Sequence, residues 1–174
     1  MKACLDVHYH EDRAHAAAIV FDCWDAPTGV AEYTALVTGS SEYEPGRFYR
    51  RELEPLLAVV GRIAEPVEVF VIDAYCTLSA DGAPGLGAYL RAATDRRTAV
   101  DRRPTVIGVA KNRFRGADHA YELYRGHSRR PLFVTALGMP LDEAAAGIAA
   151  MAGRYRIPTL LQAVDRLARE SAEG

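Results

Sequence analysis

The 174 residues, of which 49% are hydrophobic and 25% charged at a net charge of −2, suit one soluble globular domain with a sizeable core and exclude a wholesale polycation. No apolar stretch is long enough to cross a bilayer. Met1 to His10 lacks a basic region followed by an apolar one, so a secretory leader is not expected and a cytoplasmic location is.

The elements read in chain order as follows. Ala3 to Tyr9, Ala14 to Phe21 and Val30 to Val37 are predicted strands with short connections, which favours an antiparallel meander. A polar loop from Ser40 reaches Pro45 and Gly46. Then Phe48, Leu53, Leu56, Leu57, Val60 and Ile63 recur at helical spacing. That helix should begin near Arg50, with Pro55 tolerated only in its early part. Val67 to Ile72 is an apolar run ending in Asp73, the pattern of a strand buried on both faces. Gly85 to Arg97 is a further helix, Thr105 to Ala110 a fifth strand, and Pro131 to Thr135 a short sixth. Leu141 to Ala152 and Thr159 to Glu170 are helical, the latter opened by Pro158. One α/β domain over residues 1–174 is the economical organisation.

Cys4, Cys23 and Cys76 are odd in number and widely spaced, which fits buried thiols better than disulfides or zinc. From Arg91 to Arg130 there are 11 basic and 4 acidic residues, so the sequence suggests a basic face able to meet phosphates. A solvated surface with incidental bias would read the same way.

Three carboxylates stand in unusual places. Asp6 interrupts the first strand, Asp73 ends the buried fourth strand, and Glu52 lies on the helix between them. With the fourth strand beside the first, Asp6 and Asp73 become neighbours, and the helix can lower Glu52 towards both. Taken singly, each has an ordinary structural role. Together they form a self-repelling cluster that calls for a cation. Mg²⁺ or Mn²⁺ suits such oxygen donors and such a site suits phosphodiester cleavage. The order strand, helix, strand matches the RNase H-like nucleases, which predicts a mixed sheet of three antiparallel strands followed by parallel ones, flanked by helices.

Tyr43-Glu-Pro-Gly-Arg-Phe-Tyr-Arg-Arg-Glu52 resembles the endonuclease V motif Tyr-x-Pro-Gly, four residues, Arg-Glu. Asp6-Val7-His8-Tyr9 resembles that family's Asp-Val-Ser-Tyr, and Val71-Ile72-Asp73 its strand ending in Asp-Gly. Pro104-Thr-Val-Ile-Gly-Val-Ala-Lys111 resembles Pro-Thr-Ile-Gly-Val-Ala-Lys with one insertion. Arg156-Ile157-Pro158 and Ala163-Val-Asp165-Arg166-Leu167 resemble its closing motifs. The resemblance covers nearly the whole chain in order. It implies a repair-type, Mg²⁺-dependent nuclease for deaminated bases, chiefly hypoxanthine, in DNA or RNA, cutting the second phosphodiester bond on the 3′ side. It implies Asp6, Glu52 and Asp73 as metal-site carboxylates and Lys111 as a catalytic lysine. Tyr43, with Pro45 and Gly46, becomes a wedge that fills the gap left by a rotated base.

Several positions depart from the pattern. The family's Asp-Gly-His-Gly is Asp73-Ala74-Tyr75-Cys76 here, which puts the side chains of Ala74 and Cys76 where backbone would approach the base. Ser79 stands where the family has a histidine. Thr135-Ala-Leu-Gly138 stands for Ser-Pro-Gly-His, so a second histidine is replaced. His8, His119 and His127 are the candidate substitutes, and the segment between Lys111 and Pro131 looks short for a substrate channel. The departures leave two alternatives beside the active nuclease: a nucleic-acid-binding relative without turnover, and a nuclease with a changed base pocket.

Overall fold

The computed structural model describes residues 1–38, 48–94 and 103–173. Its elements run β1 (Lys2–His10), β2 (Arg13–Phe21), β3 (Ala31–Thr38), α1 (Phe48–Val60), β4 (Val69–Ile72), α2 (Leu86–Thr94), β5 (Thr105–Ala110), β6 (Tyr121–Leu123), β7 (Leu132–Leu137), α3 (Leu141–Ala150) and α4 (Thr159–Glu173). Among the described residues the strands form one seven-stranded sheet in the order β3-β2-β1-β4-β5-β7-β6. β1, β2 and β3 are the expected antiparallel meander, and β4 and β5 follow in parallel to β1. Beyond β5 the direction reverses, because β7 pairs antiparallel with both β5 and β6. β6 is a three-residue edge strand that periodicity missed, too short to carry a pattern.

Helices cover both faces. One core joins Cys4, Ile19, Phe21, Val71, Ile107 and Val134 to Ile148 of α3 and to Leu160, Val164 and Ala168 of α4. The other joins Leu5, Val20, Phe70 and Ile72 to Leu56 and Val59 of α1 and Leu86 and Leu90 of α2. Alternation along each strand divides the cores, since successive side chains point to opposite faces. Ala16, Ala17 and Ala18 make the middle of β2 thin on both sides, and α1 and α4 both pack against that strand.

Pro55 lies well inside α1 rather than in its first turn. The missing N–H leaves the Arg51 carbonyl without its helical donor. The Tyr9 hydroxyl donates to that carbonyl at 2.9 Å. A residue expected to limit the helix therefore provides an acceptor that ties α1 to β1, one residue from Glu52.

Candidate functional site

The β1–β4 register ends with Leu5 opposite Ile72, so Asp6 and Asp73 are the next residues on adjacent parallel strands. Both follow, by two residues, side chains of the α3–α4 core, Cys4 and Val71. A small cavity at this strand end is lined by Asp6, Asp73, Lys111, Ile157, Leu161 and Val164 among others. Burial pushes the Asp6 carboxyl up to about 7. A hydrogen bond with the Val7 backbone opposes this, and the charges of Asp73 and Asp165 add to it.

Glu52 comes from the other face on α1. Burial pushes it up to about 7, against a hydrogen bond with Tyr9 and the charge of Arg51, with the charge of Asp73 adding to the rise. The Arg51 guanidinium lies 3.8 Å from the centre of the Tyr9 ring. Tyr9→Phe is expected to leave the Arg51 carbonyl unanswered, at a cost of ~1 kcal/mol, and to loosen Glu52. A thermal melt should fall by about 2–4 °C.

Lys111, two residues beyond Val109 on β5, places its ammonium against the Asp73 carboxylate. Burial draws the lysine pKa down. The hydrogen bond to Asp73 and the charges of Asp73, Asp6 and Asp165 outweigh it, and the net shift is upward. The fold thus brings Asp6, Asp73 and Lys111 together where β1, β4 and β5 end, with Glu52 within reach of the charge of Asp73. It adds Asp165 of α4, which hydrogen-bonds to Asp6. Sequence inspection passed over Asp165 although it lies within Ala163-Val-Asp165-Arg166-Leu167. Its ion pair with Arg169, one helical turn on, is the ordinary role such a residue suggests.

On the α1–α2 side of Asp73 and Lys111 opens a cavity of 590 Å³. Its walls include Tyr49, Tyr75, Tyr89, Phe114, Ala74 and Asn112. Tyr49 and Tyr89 stack with ring centres 3.7 Å apart. The Tyr75 hydroxyl donates to the Asn112 carbonyl at 2.8 Å and accepts from the Phe114 N–H at 3.0 Å.

Cys76 corrects the expectation that its side chain enters this cavity. It is fully buried, its thiol donating to the Val106 carbonyl at 3.3 Å, and burial pushes its pKa up to about 12. The close approach of α2 at Gly87 leaves it no other direction; a Cβ on Gly87 would meet Sγ at 2.5 Å. The Cys76 N–H donates to Thr135 Oγ1 at 2.8 Å, which fixes the turn after Asp73. Of the Asp73-Ala74-Tyr75-Cys76 run, only the first three reach the cavity.

Two of the histidine substitutes are engaged elsewhere: His119 Nε2 lies 2.8 Å from Thr77 Oγ1, and His127 faces a separate cleft. His8 follows Asp6 by two residues on β1, in register with His15 of β2. Ser79 holds a turn, its hydroxyl accepting from the Ala83 N–H at 3.1 Å. Gly138 follows the end of β7 that pairs with Val106, beside Thr105, at the opposite edge of the sheet from Lys111. A histidine at 138 would therefore not touch the carboxylates, and its replacement leaves no gap among them. Of the arginines in 91–130, Arg96, Arg97 and Arg102 lie outside the described residues, and several of the others are engaged within the fold. Arg91 donates to the Pro104 carbonyl at 3.0 Å, Arg113 pairs with Asp118 and Glu122, and Arg125 is buried. Tyr43, Pro45 and Gly46 lie outside the described residues.

The donor set suits a hard divalent cation. It consists of carboxylates whose charges oppose one another. Among the described residues, no three His, Cys, Asp or Glu side chains already form a ligand cage, and the Lys111 ammonium supplies the positive charge at Asp73.

The family model for Endonuclease V matches residues 2–166. Endonuclease V of Streptomyces avermitilis is 31% identical over 190 residues, covering 96% of this chain and 78% of that protein. A crystal structure of endonuclease V from the same organism aligns at a TM-score of 0.76 and 27% identity, covering 98% of this chain and 80% of that one. Ciona intestinalis endonuclease V, in complex with a 23mer DNA containing an inosine followed by a ribo-adenosine, shares the fold at a TM-score of 0.74 and 19% identity, covering 99% of this chain and 85% of that one.

Proposed function

The chain belongs to the endonuclease V family, and from that membership we propose that it is a Mg²⁺- or Mn²⁺-dependent endonuclease that nicks DNA or RNA beside inosine-type bases. The observation that carries the reading is the placement of Asp6, Asp73 and Lys111 at one strand end, directly beside an aromatic cavity, with Glu52 on α1 near enough for the charge of Asp73 to act on it. The Ciona relative's complex with inosine-containing DNA supports the substrate class.

Asp6 and Asp73 would hold the cation with Glu52 completing the set from α1. When bound, the cation supplies an activated water and charge stabilisation for the leaving oxygen. Lys111 sits on Asp73 and presents its ammonium to a phosphate arriving at the same edge. The aromatic cavity offers stacking surfaces to an extruded base. Tyr43, with Pro45 and Gly46, takes the wedge role from its match to the family motif alone. A changed base pocket is the second reading, favoured by the Tyr49–Tyr89 stack and by Ala74 and Tyr75 at the wall.

Oligonucleotides of DNA and RNA with a single hypoxanthine, xanthine or uracil test both readings in Mg²⁺ or Mn²⁺. A nick at a fixed distance from hypoxanthine is expected. A nick at another base alone would favour the changed pocket, and no nick in any oligonucleotide would refute the nuclease.

A further inference from the structure

A second cleft opens on the α3–α4 side of Lys111, opposite the aromatic cavity. It is lined by His127, Ser128, Arg154, Tyr155 and Arg156, has a volume of 670 Å³, and has no acidic residue in its wall. Two loops build it. Arg125, only 7% exposed, donates to the Tyr155 carbonyl at 3.0 Å, to the Arg156 and Gly153 carbonyls at 3.3 Å, and to the Met151 carbonyl. Gly126, at φ +58°, lets the first loop lie against the Arg154 carbonyl, where a Cβ would collide. Arg156 donates to the Lys111 and Pro131 carbonyls, joining the cleft to the carboxylate edge.

With this frame held from beneath, Tyr155 is left 59% exposed. The Arg154 guanidinium lies 4.9 Å from its ring centre and donates to its hydroxyl at 2.7 Å. Arg129 and Arg130 are exposed on the adjoining loop. An exposed aromatic ring beside arginines on a hydrogen-bonded floor is what a single strand of nucleic acid needs: a stacking face for a base and a cation for the next phosphate.

We propose that this cleft is a second nucleic-acid subsite, which receives the flank on the side of the cut after the strand has passed the carboxylates. A base stacks on Tyr155, and Arg154 meets the neighbouring phosphate. The inference rests on the nuclease reading, because it places the extruded base in the aromatic cavity and the scissile phosphate between the two. Lys111 borders the first cavity and is bonded to a wall of the second, so the three positions follow one another along a strand.

The test compares inosine oligonucleotides whose cut-side flank is ten or two nucleotides long, with the other flank shortened as a control. The native chain is expected to prefer the long cut-side flank roughly tenfold in kcat/KM, and Tyr155→Ala and Arg154→Ala to lose that preference while cleaving the short substrate normally. Both side chains are exposed, and unchanged melting curves confirm that the variants fold. Equal flank preference in native and variant chains overturns the subsite. Should no oligonucleotide be cleaved, anisotropy with an unmodified single-stranded 20-mer decides separately. Roughly tenfold weaker binding by Tyr155→Ala, with a salt slope reduced by about 0.7 in Arg154→Ala, supports the subsite. Unaltered binding overturns it.

Discussion

Asp73→Ala is expected to lower inosine-directed cleavage by roughly 10³-fold while leaving binding of the oligonucleotide nearly intact. Asp73 is the group the site shares. Its charge acts on Asp6 and on Glu52, and its carboxylate holds Lys111. Removing it deletes a donor and releases the lysine together. The surfaces expected to hold the strand are elsewhere, in the aromatic cavity and the arginine cleft, so the loss should fall on kcat rather than on Kd. The side chain is 32% exposed, and the core beneath it is made by Val71 and Ile72, so the fold should survive. Lys111→Ala should cost less, about 10–10²-fold, because the three carboxylates remain. A kcat/KM for Asp73→Ala within a few fold of the native value would place the chemistry elsewhere in the molecule.

The second large effect concerns pH and metal. Asp6 and Glu52 ionise near their ordinary values, 3.8 and 4.5, in the unfolded chain, but near 7 in the metal-free fold. Between those values the folded state binds more protons than the unfolded one. Their contribution to stability is therefore fully present below about pH 4. It is lost as pH rises through 7, where burial and mutual repulsion act on ionised groups. A divalent cation reverses that penalty only where the carboxylates are ionised. At one concentration, a hundredfold above the Kd at pH 8, Mg²⁺ or Mn²⁺ should raise Tm by about 5–10 °C at pH 8 and by much less at pH 5. Asp6→Asn should abolish most of the increment. An increment that is equal at both pH values, or that persists in Asp6→Asn, would argue against a metal held by these groups.

The sheet was legible in the sequence because its central strands carry strong signals. Val67 to Ile72 is apolar without alternation, and a strand buried on both faces must be so. With the fourth strand taken beside the first, by analogy with the RNase H-like fold, that run and Asp6 place two carboxylates side by side, which the register of Leu5 with Ile72 reproduces. What stayed hidden depends on direction rather than on neighbourhood. Cys76 faces the core because α2 closes over it at Gly87, a contact between segments that no local pattern records. Gly138 falls at the far edge because β7 runs antiparallel to β5, a reversal decided by the connection through β6. Asp165 meets Asp6 only through the docking of α4 on β1, and its helical context reads as an ordinary ion pair. The basic cleft was missed for a related reason. Composition pointed to residues 91–130, whereas the cleft takes Arg154 and Arg156 from outside that run and spends Arg125 as its buried frame.

A Mn²⁺-soaked crystal, with its anomalous difference map, addresses the convergence of the carboxylates most directly. A peak within ~2 Å of carboxylate oxygens of both Asp6 and Asp73, with Glu52 turned towards it and the Lys111 ammonium displaced from Asp73, is the expected result. A map with no peak at this edge, and Lys111 still seated on Asp73 at saturating Mn²⁺, would contradict the assignment of Asp6, Glu52 and Asp73 as a metal site.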